Sequence, residues 1–169
     1  AALTVLAKLL RAEYLHRVIR EKGGAYGGLA GYNAEAGLFS LLSYRDPHLE
    51  RTLQVYEDAI NWVVGGGFSE QSVKEAILGV FSDLDKPLSP AGNGAREFAN
   101  LRQGMTLEMR NQMRQQLVAV DSAQLVAVAT RWLAGDARSA ISVLSGEDAL
   151  SAYNSAHPEQ ALELKRISD

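Results

Sequence analysis

Arg20-Glu21-Lys22-Gly23-Gly24-Ala25-Tyr26-Gly27-Gly28-Leu29-Ala30 ends one kind of structure and begins another. Residues before it repeat with helical spacing; those after it are small and aromatic. Ser43-Tyr44-Arg45-Asp46-Pro47 closes the extended part at a polar turn. The order is therefore helix, glycine pair, strand, strand, turn. Everything else in the chain is arranged around that order.

Working upstream, residues 2–21 carry Leu3, Leu6, Leu10, Tyr14, Leu15, Val18 and Ile19 on or near one stripe, with Arg11, Glu13, Arg17 and Glu21 opposite. Gly23 and Gly24 stop this helix, since a glycine past a helix end adopts the left-handed conformation at little cost. Residues 25–32 hold Gly27, Gly28 and Gly31, a weak strand composition whose natural use is close backbone approach. Residues 37–44, Gly-Leu-Phe-Ser-Leu-Leu-Ser-Tyr, read as a firmer strand, with Asn33-Ala34-Glu35-Ala36 as the hairpin connection.

Downstream, Asp46-Pro47 is expected to start a helix with proline in its first turn, ending at Gly65-Gly66-Gly67. Ser69 caps the next, with Val73, Ile77, Leu78 and Phe81 on its stripe. Residues 83–94 hold Pro87, Pro90 and two glycines and read as loop, with a helix over 95–103. Further helices are expected from Thr106 to about Ala119 and from Asp121 to about Leu133, then a turn at 135–138. Residues 139–144, Ser-Ala-Ile-Ser-Val-Leu, alternate and read as a third strand; a short helix near 146–154 and a poorly packed charged tail follow. The fold class is α+β, a small mostly antiparallel sheet covered by several helices.

The chain has 169 residues, a formal net charge of −3, three histidines and no cysteine. That length fits one domain with a small appendage. The charge balance, with no basic tract, predicts no nucleic-acid partner. No apolar run approaches the ~20 residues that span a bilayer, so no membrane partner is expected. Absent cysteine removes disulfides, thiolate nucleophiles and cysteine-bound metals. Because the chain opens without Met inside an apolar periodic segment, it reads as part of something longer.

Local chemistry is sparse. His16, His48 and His157 form neither His-Glu-x-x-His nor His-x-x-Glu-His, so no metal site is expected within this chain. No Gly-x-Ser-x-Gly elbow is present. The glycine run follows a helix and leads into a strand, the reverse of a phosphate-binding loop. Met105, Met109 and Met113 read as core filling, and Arg102, Arg110 and Arg114 as a solvated face. Arg20 and Tyr26 flank the glycine pair. They are either a helix-end cation with a core tyrosine, or two donors converging on one carbonyl oxygen or oxyanion. The glycine-rich strand is either internal to its sheet or an edge able to pair with an extended peptide.

Tyr14-Leu15-His16, Ile19 through Gly27 and Ser43 through Pro47 resemble the C-terminal region of presequence proteases, zinc metallopeptidases of the pitrilysin/insulinase (inverzincin) superfamily. Glu75 to Gly79, Asp83 to Pro90 and Thr106 to Arg114 extend the resemblance over about residues 3–145. It implies two halves around a peptide chamber, with zinc and His-x-x-Glu-His in an N-terminal half absent from this chain. It also implies that an Arg and a Tyr from the C-terminal half, here Arg20 and Tyr26, contact the substrate near the scissile carbonyl. Gly24, Ala25, Gly27 and Gly28 would then lie along the substrate.

On this basis residues 1–145 are a substrate-binding domain incomplete at its N-terminus, and 146–169 a helix and tail. Zinc belongs to the full-length enzyme and none to this chain, which alone should not hydrolyse peptides. The expected partners are an unstructured peptide and the N-terminal half of the same enzyme, with self-association through exposed strand edges. A bacterial cytoplasm is the expected location, or an organellar lumen for a eukaryotic source. Two alternatives stand beside this reading: a non-catalytic scaffold or partner subunit of the same fold, and a stand-alone peptide-binding module.

Overall fold

The computed structural model describes residues 1–135 and 139–166, so the turn expected at 135–138 lies mostly outside the described residues. Helix α1 spans Ala2–Leu9 and continues without a break into a π-helical segment, Leu10–Glu21. There the hydrogen-bond rungs widen; Lys22 N–H, for example, donates to the Arg17 carbonyl at 3.1 Å. Leu10, Leu15 and Ile19 are the buried residues of this segment, five and four positions apart, as the wider turn requires. The sequence reads as one ordinary α-helix because stripe residues three or four apart satisfy either pitch over a short stretch.

This helix is the hub of the molecule. Val5, Leu6, Leu9, Leu10 and Leu15 are fully buried. Around it pack α3 (Glu70–Leu84), α6 (Ser122–Trp132), α2 (Leu49–Val64) and strand β1 (Gly27–Asn33). Each leucine so enclosed contributes roughly 1.5–3 kcal/mol of transfer free energy.

β1 pairs antiparallel with β2 (Leu38–Tyr44), setting Gly28 opposite Ser43, Ala30 opposite Leu41 and Tyr32 opposite Phe39. Alternation puts Gly28, Ala30, Phe39 and Leu41 on the helix side, where the latter three join the core. Leu38, Leu42 and Tyr44 stand exposed on the other face. Asn33 shapes the hairpin by accepting the Glu35 and Ala36 N–H groups on its side-chain oxygen. Among the described residues these two strands are the whole sheet, and each has one edge without a strand partner.

Three expectations need correction. Residues 139–144 form no strand: Ile141 and Leu144 are exposed, and no strand among the described residues pairs with the segment. Alternation supplies a face, not a partner. Helix α2 begins at Leu49 rather than at Pro47. Asp46 instead folds the approach, accepting the His48 N–H at 2.9 Å and the buried Thr52 hydroxyl at 2.6 Å. Finally α4 (Pro90–Arg102) starts inside the stretch read as loop. Ser89 caps it through the Gly92 N–H at 3.1 Å, and Pro90 sits in its first turn, which its fixed φ favours.

The caps read at Ser69, Thr106 and Asp121 are present; they open α3, α5 (Leu107–Val118) and α6, the last with a full capping box. Helix α7 (Glu147–Ala156) carries the tail, which is better anchored than its charge suggests. Tyr153 is buried, and the Asn154 side chain bonds both backbone groups of Leu162, at 2.9 and 2.8 Å.

Candidate functional site

The site begins with how the long helix ends. Gly24 takes φ +76°, a conformation costly for any residue with a Cβ, and its N–H closes back on the Arg20 carbonyl at 3.0 Å. Ala25 N–H reaches the Ile19 carbonyl at 3.2 Å, and Ala25 is buried. The chain then reverses along its own helix. Gly28 makes that possible: a Cβ there would stand 2.7 Å from the Leu15 carbonyl oxygen and 2.9 Å from the Ile19 Cβ. Its glycine therefore serves helix–strand contact. Gly24 and Gly27, by contrast, have open space where a side chain would project.

This reversal brings Arg20 and Tyr26 together. The Arg20 guanidinium carbon lies 6.0 Å from the centre of the Tyr26 ring. Tyr26 is 65% exposed, so it is not a core tyrosine. Arg20 is also oriented from behind. Its Nη1 donates to His16 Nε2 at 3.2 Å, and His16 Nδ1 lies 3.3 Å from Glu21 Oε1. A guanidinium can only donate, so Nε2 accepts and Nδ1 carries the proton towards Glu21. His16, weighed from sequence only as a metal ligand, is thus a support for Arg20. The signal was its position four residues before it on the same helix.

Two further residues complete the cluster. The Tyr44 ring meets Tyr26 edge-on, 5.8 Å between centres. The Arg45 guanidinium carbon lies 6.0 Å from the Tyr26 ring centre and 5.4 Å from that of Tyr44. Neither Arg20 nor Arg45 has a carboxylate partner among the described residues. Both were within the quoted sequence stretches, but nothing in their spacing showed that hairpin pairing would carry Tyr44 and Arg45 back to Tyr26. Below the cluster, Tyr56 on α2 has its phenol pushed above the ordinary value by burial, opposed by a hydrogen bond with the Ser43 hydroxyl and reinforced by the Asp46 carboxylate.

Elsewhere several polar residues are committed to structure. Arg114 Nη2 donates to both Asp85 carboxylate oxygens, at 2.7 and 2.8 Å, and the guanidinium lies over the Phe81 ring, while Arg110 bonds Glu97 at 2.8 Å. Met113 packs against the core, whereas Met109 is exposed. Among the described residues no three His, Cys, Asp or Glu side chains gather as a metal site would need. His48 sits at the start of α2 without capping it, and His157 lies 3.1 Å from Glu50. This donor set does not fit zinc. No helix among the described residues is long and apolar enough to cross a membrane.

Comparison with known proteins gives one consistent result. The family model described as the PreP C-terminal domain matches residues 1–134. The chain is 49% identical over 129 residues to "Presequence protease, mitochondrial" of Yarrowia lipolytica, covering 75% of this chain and 13% of that protein. It is 40% identical over 149 residues to the proteins of the same name from Mus musculus and Danio rerio, covering 88% of this chain and 14% of each. The chain thus spans about a seventh of the length of these curated relatives.

Proposed function

We propose that this chain, which belongs to the PreP C-terminal domain family, is the substrate-contacting C-terminal part of a zinc-dependent oligopeptidase that degrades unstructured peptides. The observation that carries the reading is the meeting of Arg20 and Tyr26 across the Gly23-Gly24 turn, two donors on an exposed surface without a hydrogen bond between them. Arg20 and Tyr26 donate hydrogen bonds to the scissile carbonyl oxygen and keep them as negative charge develops there. Gly24 and Gly27 leave room for the substrate backbone to pass. Ala25 and Gly28 support that path by packing inward against the helix.

The metal and its ligands belong to the upstream part of the same polypeptide, which is also this domain's principal partner. The relatives' names support an organellar location for a eukaryotic source and give no support to a bacterial cytoplasm.

The test uses the full-length enzyme that contains this chain. Cleavage of an unstructured peptide should be chelator-sensitive, and Arg20→Ala and Tyr26→Phe should each lower kcat, from severalfold to about 10²-fold. Wild-type rates in both variants would remove the catalytic role. Chelator-resistant turnover would remove the zinc peptidase reading itself.

A further inference from the structure

Arg45 is the one non-glycine residue with positive φ, +49°, among the described residues. The left-handed region is uncomfortable for a side chain with a Cβ, and such strain persists only where the surroundings hold it. The cause of the kink is visible. Gly27 stands opposite Tyr44 in the register, yet Tyr26 N–H also donates to the Tyr44 carbonyl at 3.1 Å, one residue out of step. The ladder therefore ends in a bulge, and Arg45 absorbs the turn that leads to Asp46. Asp46 then locks the exit through the His48 N–H and the Thr52 hydroxyl.

A glycine would make this turn without strain. An arginine makes it with strain and sends its guanidinium back over two tyrosine rings, 6.0 Å from the centre of Tyr26 and 5.4 Å from that of Tyr44. Arg20 approaches the same Tyr26 ring at 6.0 Å, and Tyr44 meets it edge-on with planes 87° apart. Tyr26 is thus held by three neighbours from two segments: Arg20 at the helix end, and Tyr44 and Arg45 where β2 ends. An exposed phenol with only its own rotamer preferences would swing; one contacted by two cations and a ring edge keeps its hydroxyl in one place.

We infer that Arg45 is a positioning residue for the reaction: it holds the Tyr26 ring so that the hydroxyl meets the substrate oxygen, and its strained backbone is what sends the guanidinium there. This rests on the reading of Tyr26 as a substrate contact. Arg45 acts through Tyr26 and touches no reacting atom.

The experiment compares Arg45→Gly, Arg45→Lys, Tyr26→Phe and the Arg45→Gly/Tyr26→Phe double variant in the full-length enzyme, measuring kcat, KM and melting temperature. Arg45→Gly relieves the backbone, so the melting temperature should stay at or above wild type while kcat falls about three- to tenfold with KM little changed. Arg45→Lys, which keeps a cation over the rings, should recover part of that loss. In the Tyr26→Phe background the glycine substitution should change kcat by less than about twofold, because the hydroxyl it would misplace is gone.

Wild-type kcat in Arg45→Gly overturns the inference. So does an equal loss in both backgrounds, or a loss that follows a fall in melting temperature. Tyr26→Phe at the wild-type rate overturns the parent reading and this one together. An impaired Tyr26→Phe beside an unaffected Arg45→Gly overturns this one alone.

Discussion

Gly28 shows what one missing methyl group does. The Leu15 carbonyl oxygen lies 2.7 Å from where its Cβ would be, and both sides of that contact are backbone. Neither can move without shifting helix or strand. Gly28→Ala should destabilise the domain by about 1–3 kcal/mol, read from urea midpoints, and should also displace Tyr26 and lower peptide turnover. Gly27→Ala, with open space around it, should leave the midpoint nearly unchanged. The sequence showed that some glycine in the run served close approach. It could not show which one, because that depends on which strand face meets the helix. Arg45 was less legible still. Its left-handed backbone goes with a bulge that exists only once the Tyr26 N–H donates to the Tyr44 carbonyl.

Helices were legible where their ends carried side-chain caps, and the three such signals at Ser69, Thr106 and Asp121 lie where they were read. Ser89-Pro90 was an equally good start, obscured by Gly92 and Gly94 within the first turns of α4. The misread strand at 139–144 failed for a different reason, since a strand exists only through its partner.

Helix α4 buries no residue, so few contacts hold it beyond its own hydrogen bonds. One of them is Glu97, whose carboxyl is held below its ordinary 4.5 mainly by the hydrogen bond from Arg110 on α5, 2.8 Å away. A carboxyl with a depressed folded-state pKa stabilises above the unfolded value and loses that contribution as pH falls through the folded one. Amide exchange in α4 should therefore quicken as pH drops below about 4.5, after correction for intrinsic rates, while the central helix stays protected. Glu97→Gln should remove that pH dependence.

At the scale of the molecule, the layer arrangement followed from the order of periodicities, while the position of the long helix at the centre did not. An amphipathic stripe announces one buried side; α1 is enclosed on more than one, by α3, α6 and β1. Leu6 is fully buried there, whereas Leu101 on α4 is 78% exposed. Leu6→Ala should cost about 2–5 kcal/mol in urea unfolding, and Leu101→Ala less than about 0.5 kcal/mol.

The central helix also sets a schedule. Helix α1 reaches its packing partner α6 only after about 120 more residues have been made. At about 5–20 residues per second, the translating ribosome leaves this apolar stripe without its final neighbours for on the order of ten seconds. During that interval the helix made earlier is the one most in need of chaperone cover, and its packing waits on a helix made much later.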